Sequence, residues 1–153
     1  MTQITFLASS RRFKIPDEIE EYNNRIVFEK EEDAIYFTVQ EVDDYWKKKL
    51  KGLFSMPYLY EAHGVGNKLF LRYIEKYMEV GDVFEIYHAR SQNQFAEFRR
   101  RMEEFPEPIE INVGGYTYRD IYGTYQFNPK KWLDELSHRN YISHHGITTF
   151  VKY

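Results

Sequence analysis

Residues 83–88 read VFEIYH, and this run decides how the chain is built. Apolar side chains fall on both alternating faces of the segment, so a strand made from it is covered on both sides, as a central strand is. Before it, Gly81-Asp82 stops a helix capped by Asn67, whose Phe70, Tyr73, Ile74, Tyr77 and Met78 form one apolar stripe. After it, Ser91-Gln92-Asn93-Gln94 has the form of a capping box opening a helix with Phe95, Phe98 and Met102 inward, which Pro106 and Pro108 end.

Working outward toward the N-terminus, Gln3 to Ala8 reads as a strand and residues 16–23 as a short helix, with Pro16 at its start and Asp17, Glu18, Glu20 and Glu21 in its opening turns. Arg25–Phe28 and Ala34–Val39 read as a hairpin about the charged run 29–33. Asp43 or Asp44 caps a helix over DYWKKKLKGLF, and Met56 to Ala62 forms a further strand. Toward the C-terminus, Ile109, Ile111 and Val113 alternate with polar residues. Gly114-Gly115 reads as a two-residue turn returning through Tyr116 and Tyr118. Asn128-Pro129 reads as a helix start, and ITTFVKY as the last strand.

Hairpins mixed with crossovers predict one α+β domain over residues 1–153, a mixed and mostly antiparallel sheet with about five helices packed on it. The stretches EVGDVFEIYHA, YGTYQFNPKKWLDEL and HGITTFVKY resemble small uncharacterised proteins of low-GC Gram-positive bacteria across the C-terminal two-thirds. The resemblance implies a bacterial source and no particular reaction.

Composition narrows the function classes. With no cysteine among 153 residues, disulfides, thiolate metal sites and a cysteine nucleophile are excluded. No segment approaches the ~20 apolar residues of a membrane-spanning helix, and the N-terminal basic residues follow the short apolar run instead of preceding it. A soluble, cytoplasmic protein with no membrane partner is therefore expected. Twenty-one Lys and Arg against 24 Asp and Glu leave a net charge of −3, which argues against nucleic acid despite the basic runs Lys47–Lys49 with Lys51 and Arg99–Arg101.

Aromatic residues make up 18% of the chain, with 14 Tyr, 12 Phe and 2 Trp. Tyrosine buries a ring while keeping its hydroxyl wet, so Tyr116, Tyr118, Tyr122 and Tyr125 are candidates for an interaction surface facing another protein or a second copy of the chain. A binding or interaction module is the first functional expectation. The alternative is a small enzyme or ligand-binding protein for a phosphate or carboxylate. Two strand-to-helix junctions carry hydroxyls and guanidinium groups: Ser9, Ser10, Arg11 and Arg12 after the first strand, and Arg90 and Ser91 beyond His88 after the VFEIYH strand. If those strands lie parallel and adjacent, both loops share one crevice, where His88 is a candidate acid or base.

The segment SHRNYISHHG places His138, His144 and His145 within eight positions. Five residues separate His138 from His144, the upper limit of H-x₃₋₅-H, and six separate it from His145. With His138 expected at a helix end and the other two across a loop, convergence needs a particular turn, so the three are metal candidates only under that turn and His138 is expected to act as a helix-end cation. There is no P-loop, G-x-S-x-G elbow or H-E-x-x-H motif, and no cofactor is expected.

Overall fold

The computed structural model describes residues 3–23, 36–90, 92–143 and 145–153, with the Tyr22 side chain excepted. The described strands form one eight-stranded sheet in the order β2-β3-β1-β4-β8-β5-β6-β7. They are β1 (Ile4–Ser9), β2 (Thr38–Glu41), β3 (Tyr58–His63), β4 (Val83–Ala89), β5 (Ile109–Asn112), β6 (Thr117–Asp120), β7 (Gly123–Gln126) and β8 (Thr148–Val151). Every neighbouring pair is antiparallel except β5 and β8, which run parallel. The helices are α1 (Asp17–Asn23), α2 (Asp44–Lys49), α3 (Lys68–Tyr77), α4 (Phe95–Glu104) and α5 (Trp132–Ser137). The expected α+β class, with a mixed and mostly antiparallel sheet and five helices, is what the chain adopts.

VFEIYH sits where its pattern demands, inside β4 between β1 and β8. Phe84 and Ile86 join a core with Leu7, Tyr60, Phe150, Ile19 of α1, Leu69, Phe70, Tyr73 and Ile74 of α3, and Trp132 and Leu136 of α5. Tyr87 and Ala89 face the other way, into a second core with Ile4, Phe6, Trp46 of α2, and Phe95 and Met102 of α4. The sheet is thus covered on both faces at its centre. Phe6, Trp46 and Phe95 pack mutually in tilted and edge-on contacts at centroid separations of 5.0–5.9 Å, arrangements favoured by the ring quadrupole.

Local signals succeed where a side chain can satisfy a helix end. Asp43 accepts from the Trp46 N–H at 2.9 Å, and Asn67 accepts from the Leu69 and Phe70 N–H groups at 2.9 and 3.2 Å. Elsewhere the boundaries move. The turn after β5 spans four residues, 113–116, because Asn112 Oδ1 accepts the Gly114 and Gly115 N–H groups and pulls the chain into a wider loop that holds Tyr116 at φ 57°. Asn128 accepts from the Lys130 N–H at 3.0 Å and closes a turn, so α5 begins only at Trp132. The strand β7 has no counterpart in the sequence reading, and a 3₁₀ turn over Gln92–Gln94 precedes α4, whose N-cap Gln94 makes no side-chain cap bond. The hairpin expected about residues 29–33 and the cap Ser91 lie outside the described residues.

Candidate functional site

The two serine- and arginine-bearing junctions do not share a crevice. Strands β1 and β4 are neighbours but antiparallel, with Ile4 opposite Ala89 and Ser9 opposite Phe84. The Ser9–Arg12 loop and the segment beyond Ala89 therefore leave the sheet at opposite ends. His88 is not part of either cleft described below, and its Nδ1 lies 2.8 Å from Thr5 Oγ1 on the adjacent strand.

The Ser9–Arg12 end opens into a cleft of about 430 Å³, whose wall is aromatic. Phe13 stacks on Tyr73 at 4.7 Å between centroids, and Tyr73 on Tyr77 at 5.4 Å, the last two being i, i+4 neighbours on α3. The rim carries Arg11, Arg12 and Lys14 against Asp17 and Glu79. Arg11 is fixed in place: its Nη2 lies 2.8 Å from the Asp82 carboxylate and donates to the Tyr77 carbonyl at 3.0 Å, and its Nε donates to Asp82 at 3.1 Å. Asp82 is nearly buried and also accepts the Glu79 N–H at 2.8 Å. Arg12 is exposed, its guanidinium 5.8 Å from the Tyr58 ring centroid, and Lys14 has no side-chain partner among the described residues.

At the base of this cleft two buried hydroxyls keep their protons unspent. Ser9 Oγ is fully buried and accepts the Arg11 N–H at 3.3 Å, but donates to no described residue. Tyr73 is 6% exposed, and its phenol makes no hydrogen bond among the described residues. Burial pushes the Tyr73 phenol up to about 12, against the opposing pull of Arg11, so it is a neutral donor at physiological pH. Its neighbour Tyr77 is engaged, donating to the Glu18 carboxylate, which this bond and Lys76 hold below its usual range. Ser10 is structural: its N–H donates to the Val83 carbonyl at 3.0 Å and its Oγ accepts the Val83 N–H at 3.1 Å, tying β1 to the start of β4.

No protein-family model, curated protein or solved structure matches the chain. The site's chemistry stands on its own residues.

At the opposite end a smaller cleft of about 200 Å³ brings together Arg90, Asp120, Ser143 and His145 over Ile109 and Ile142. Here an imidazole meets an arginine and a serine, yet the serine is committed. Ser143 Oγ donates to the Glu107 carbonyl at 2.5 Å, and its contact with His145 is through the backbone N–H at 3.4 Å. Ser143 is thus not set up as a nucleophile with a base at its hydroxyl. Ser91 and His144 lie outside the described residues. His138 caps the C-terminus of α5, its Nδ1–H donating to the Asp134 carbonyl at 2.6 Å, the helix-end role expected of it. Among the described residues no three His, Asp or Glu side chains are grouped to hold a metal.

The four tyrosines of the C-terminal ribbon do not form one surface. Tyr118 is 5% exposed and packs edge-on against Phe127, while Tyr116 is half-buried against Trp132. Alternation along β6 turns Tyr118 into the core. Of the four, Tyr122, 91% exposed at the turn, and Tyr125 are the exposed ones, with Arg139 4.1 Å from the Tyr125 ring centroid. Sequence reasoning missed Phe13, Lys14, Tyr73 and Tyr77 as cleft residues. The i, i+4 tyrosine pair was visible, but as part of an apolar helix stripe it carried no signal of a cavity.

Proposed function

We propose that this protein binds a small anionic ligand with a planar apolar body in the cleft formed by Ser9–Lys14 and α3. The observation that carries this reading is the pair of buried hydroxyls, Ser9 Oγ and Tyr73 Oη, that donate to no described residue, among the cleft residues that also include Arg12 and Lys14. Buried polar groups are almost always hydrogen-bonded, and those that are not call for a partner such as a ligand or an ordered water. Two neutral donors at the base and the Arg12 and Lys14 cations above them suit phosphate or carboxylate oxygens. The stacked rings of Phe13, Tyr73 and Tyr77 suit a flat apolar body. Arg11, spent on Asp82, acts as a positioning residue that keeps the loop and Tyr77 in place. A bacterial source belongs to the same reading and rests on the three segments quoted above, and a cytoplasmic setting rests on the cysteine-free composition and the N-terminal pattern.

The test is calorimetric titration with phenyl phosphate and inorganic phosphate. Phenyl phosphate is expected to bind about tenfold more tightly, the ring contributing on the order of 1.4 kcal/mol. Replacing Arg12 and Lys14 together by Ala is expected to abolish both interactions while circular dichroism stays unchanged. Absence of saturable binding at millimolar phenyl phosphate, or undiminished binding by the double variant, overturns the reading.

A further inference from the structure

β7 is an edge strand whose four residues, Gly-Thr-Tyr-Gln, are all exposed. Natural sheets protect their edges with charges, prolines, bulges or a covering element. This edge has no charge and no proline, whereas the opposite edge, β2, ends in the exposed Gln40 and Glu41. The backbone direction of the free groups on β7 follows from the hairpin. The Phe127 N–H donates to the Tyr116 carbonyl at 2.8 Å, one step beyond the Thr117–Gln126 pair. Residues 116 and 127 are thus a hydrogen-bonded pair, and by alternation so are 118 with 125 and 120 with 123. That leaves the N–H and C=O groups of Thr124 and Gln126 pointing away from β6, toward the edge.

We propose that two copies of this chain join β7 to β7 in antiparallel fashion, extending the sheet to sixteen strands about a two-fold axis at Tyr125. Several antiparallel registers match side-chain faces across the axis and set outward backbone groups against outward groups; only the one centred on Tyr125 pairs both outward residues, Thr124 and Gln126, within the strand. Thr124 pairs with Gln126 of the second copy, and Gln126 with Thr124, giving four backbone hydrogen bonds. Tyr125 lies opposite its own symmetry mate in a non-hydrogen-bonded pair, the closest-packed position in an antiparallel ladder. This register also carries the exposed Tyr122 ring to the Asn128-Pro129 turn of the second copy, covering the most exposed large side chain of the ribbon. A second copy suits this edge because the strand is its own complement: none of its four residues is charged, and the aromatic residue at the axis carries Arg139 of its own chain on its ring.

The chain's lack of cysteine makes the register directly readable. Under mild copper–phenanthroline oxidation of the otherwise full-length protein, Tyr125→Cys is expected to crosslink to a dimer at least tenfold faster than Thr124→Cys. Opposed Cα atoms at the axis lie about 4.5 Å apart, within disulfide reach, whereas the two Thr124 positions are separated by about 8 Å. Sedimentation equilibrium at 100 µM is expected to show a dimer for the unmodified protein and a monomer for Thr124→Pro and Thr124→Lys. Thr124 donates no bond within its own ladder, so both variants keep the monomer fold. A monomeric unmodified protein, a dimer that persists in both variants, or equal crosslinking of the two cysteine variants overturns the proposal.

Discussion

Replacing Tyr73 by Phe separates stability from binding at the proposed cleft. The phenol is buried and has no hydrogen-bond partner among the described residues. An unsatisfied buried polar group costs about 1–3 kcal/mol. Deleting it leaves the ring stack with Phe13 and Tyr77 intact, so Tyr73→Phe is expected to stabilise the ligand-free protein by about 1 kcal/mol, or roughly 3 °C in Tm for a chain of this size. The difference also depends on pH. Burial raises the Tyr73 phenol from 10 to about 12, so the contribution of its neutral form is fully present below pH 10 and is lost as pH rises toward 12. Two units correspond to roughly 3 kcal/mol when fully lost, so the advantage of the variant grows to about 3 kcal/mol as pH approaches 12. Tyr87, Tyr118 and Tyr141 are also raised by burial and weaken both proteins alike, which is why the difference between the two, measured by urea denaturation from pH 7 to 12, is the informative quantity. The same variant is expected to bind phenyl phosphate about tenfold more weakly. A variant that is less stable at pH 7, with a difference that does not change up to pH 12, refutes the assignment of an unsatisfied phenol.

Two further substitutions test what holds the clefts in place. Asp82→Ala removes the acceptor for Arg11 and for the Glu79 N–H. Because Arg11 is half-exposed, the loss is expected to be about 2 kcal/mol, below the 3–5 kcal/mol of a fully buried pair, and to show as a lower urea midpoint with unchanged slope. Thr148→Val keeps the shape of a fully buried side chain but strips the hydroxyl that donates to the Tyr141 carbonyl at 2.7 Å and accepts the Ser143 N–H at 3.1 Å. With both groups left unpaired, a cost of about 2–3 kcal/mol is expected, measured the same way.

Where the sequence was readable, a local interaction carried the information. The caps Asp43 and Asn67 bond within three residues of themselves, and the two-faced pattern of VFEIYH is a property of the strand alone. Asn128-Pro129 failed for a reason just as local, since an asparagine that can accept from residue i+2 closes a turn as readily as it opens a helix. Tyr118 and Tyr122 have the same side chain four positions apart, and only the pairing of β6 with β5 and β7 decides that one is core and the other solvent.

The placement of the site turned on one bit of non-local information, the relative direction of β1 and β4. Both strands are followed by serine and arginine, and a parallel pairing would have gathered all of these groups at one edge. The antiparallel pairing instead delivers Asp82, which precedes β4, to the end where β1 finishes. The carboxylate then captures Arg11, while Ser10 brackets Val83 through both backbone groups of that residue. That exchange removes two of the expected anion ligands, Ser10 and Arg11, and supplies something an exposed arginine pair could not. The loop through Phe13 is anchored against α3, and Ser9 and Tyr73 are buried with hydroxyls that donate to no described residue. A site that is fixed before its ligand arrives loses less entropy on binding than two unattached side chains would. On this argument Asp82→Ala weakens phenyl phosphate binding although Asp82 itself, as an anion, would repel the ligand. Tighter binding by that variant would show that charge, and not positioning, governs the cleft.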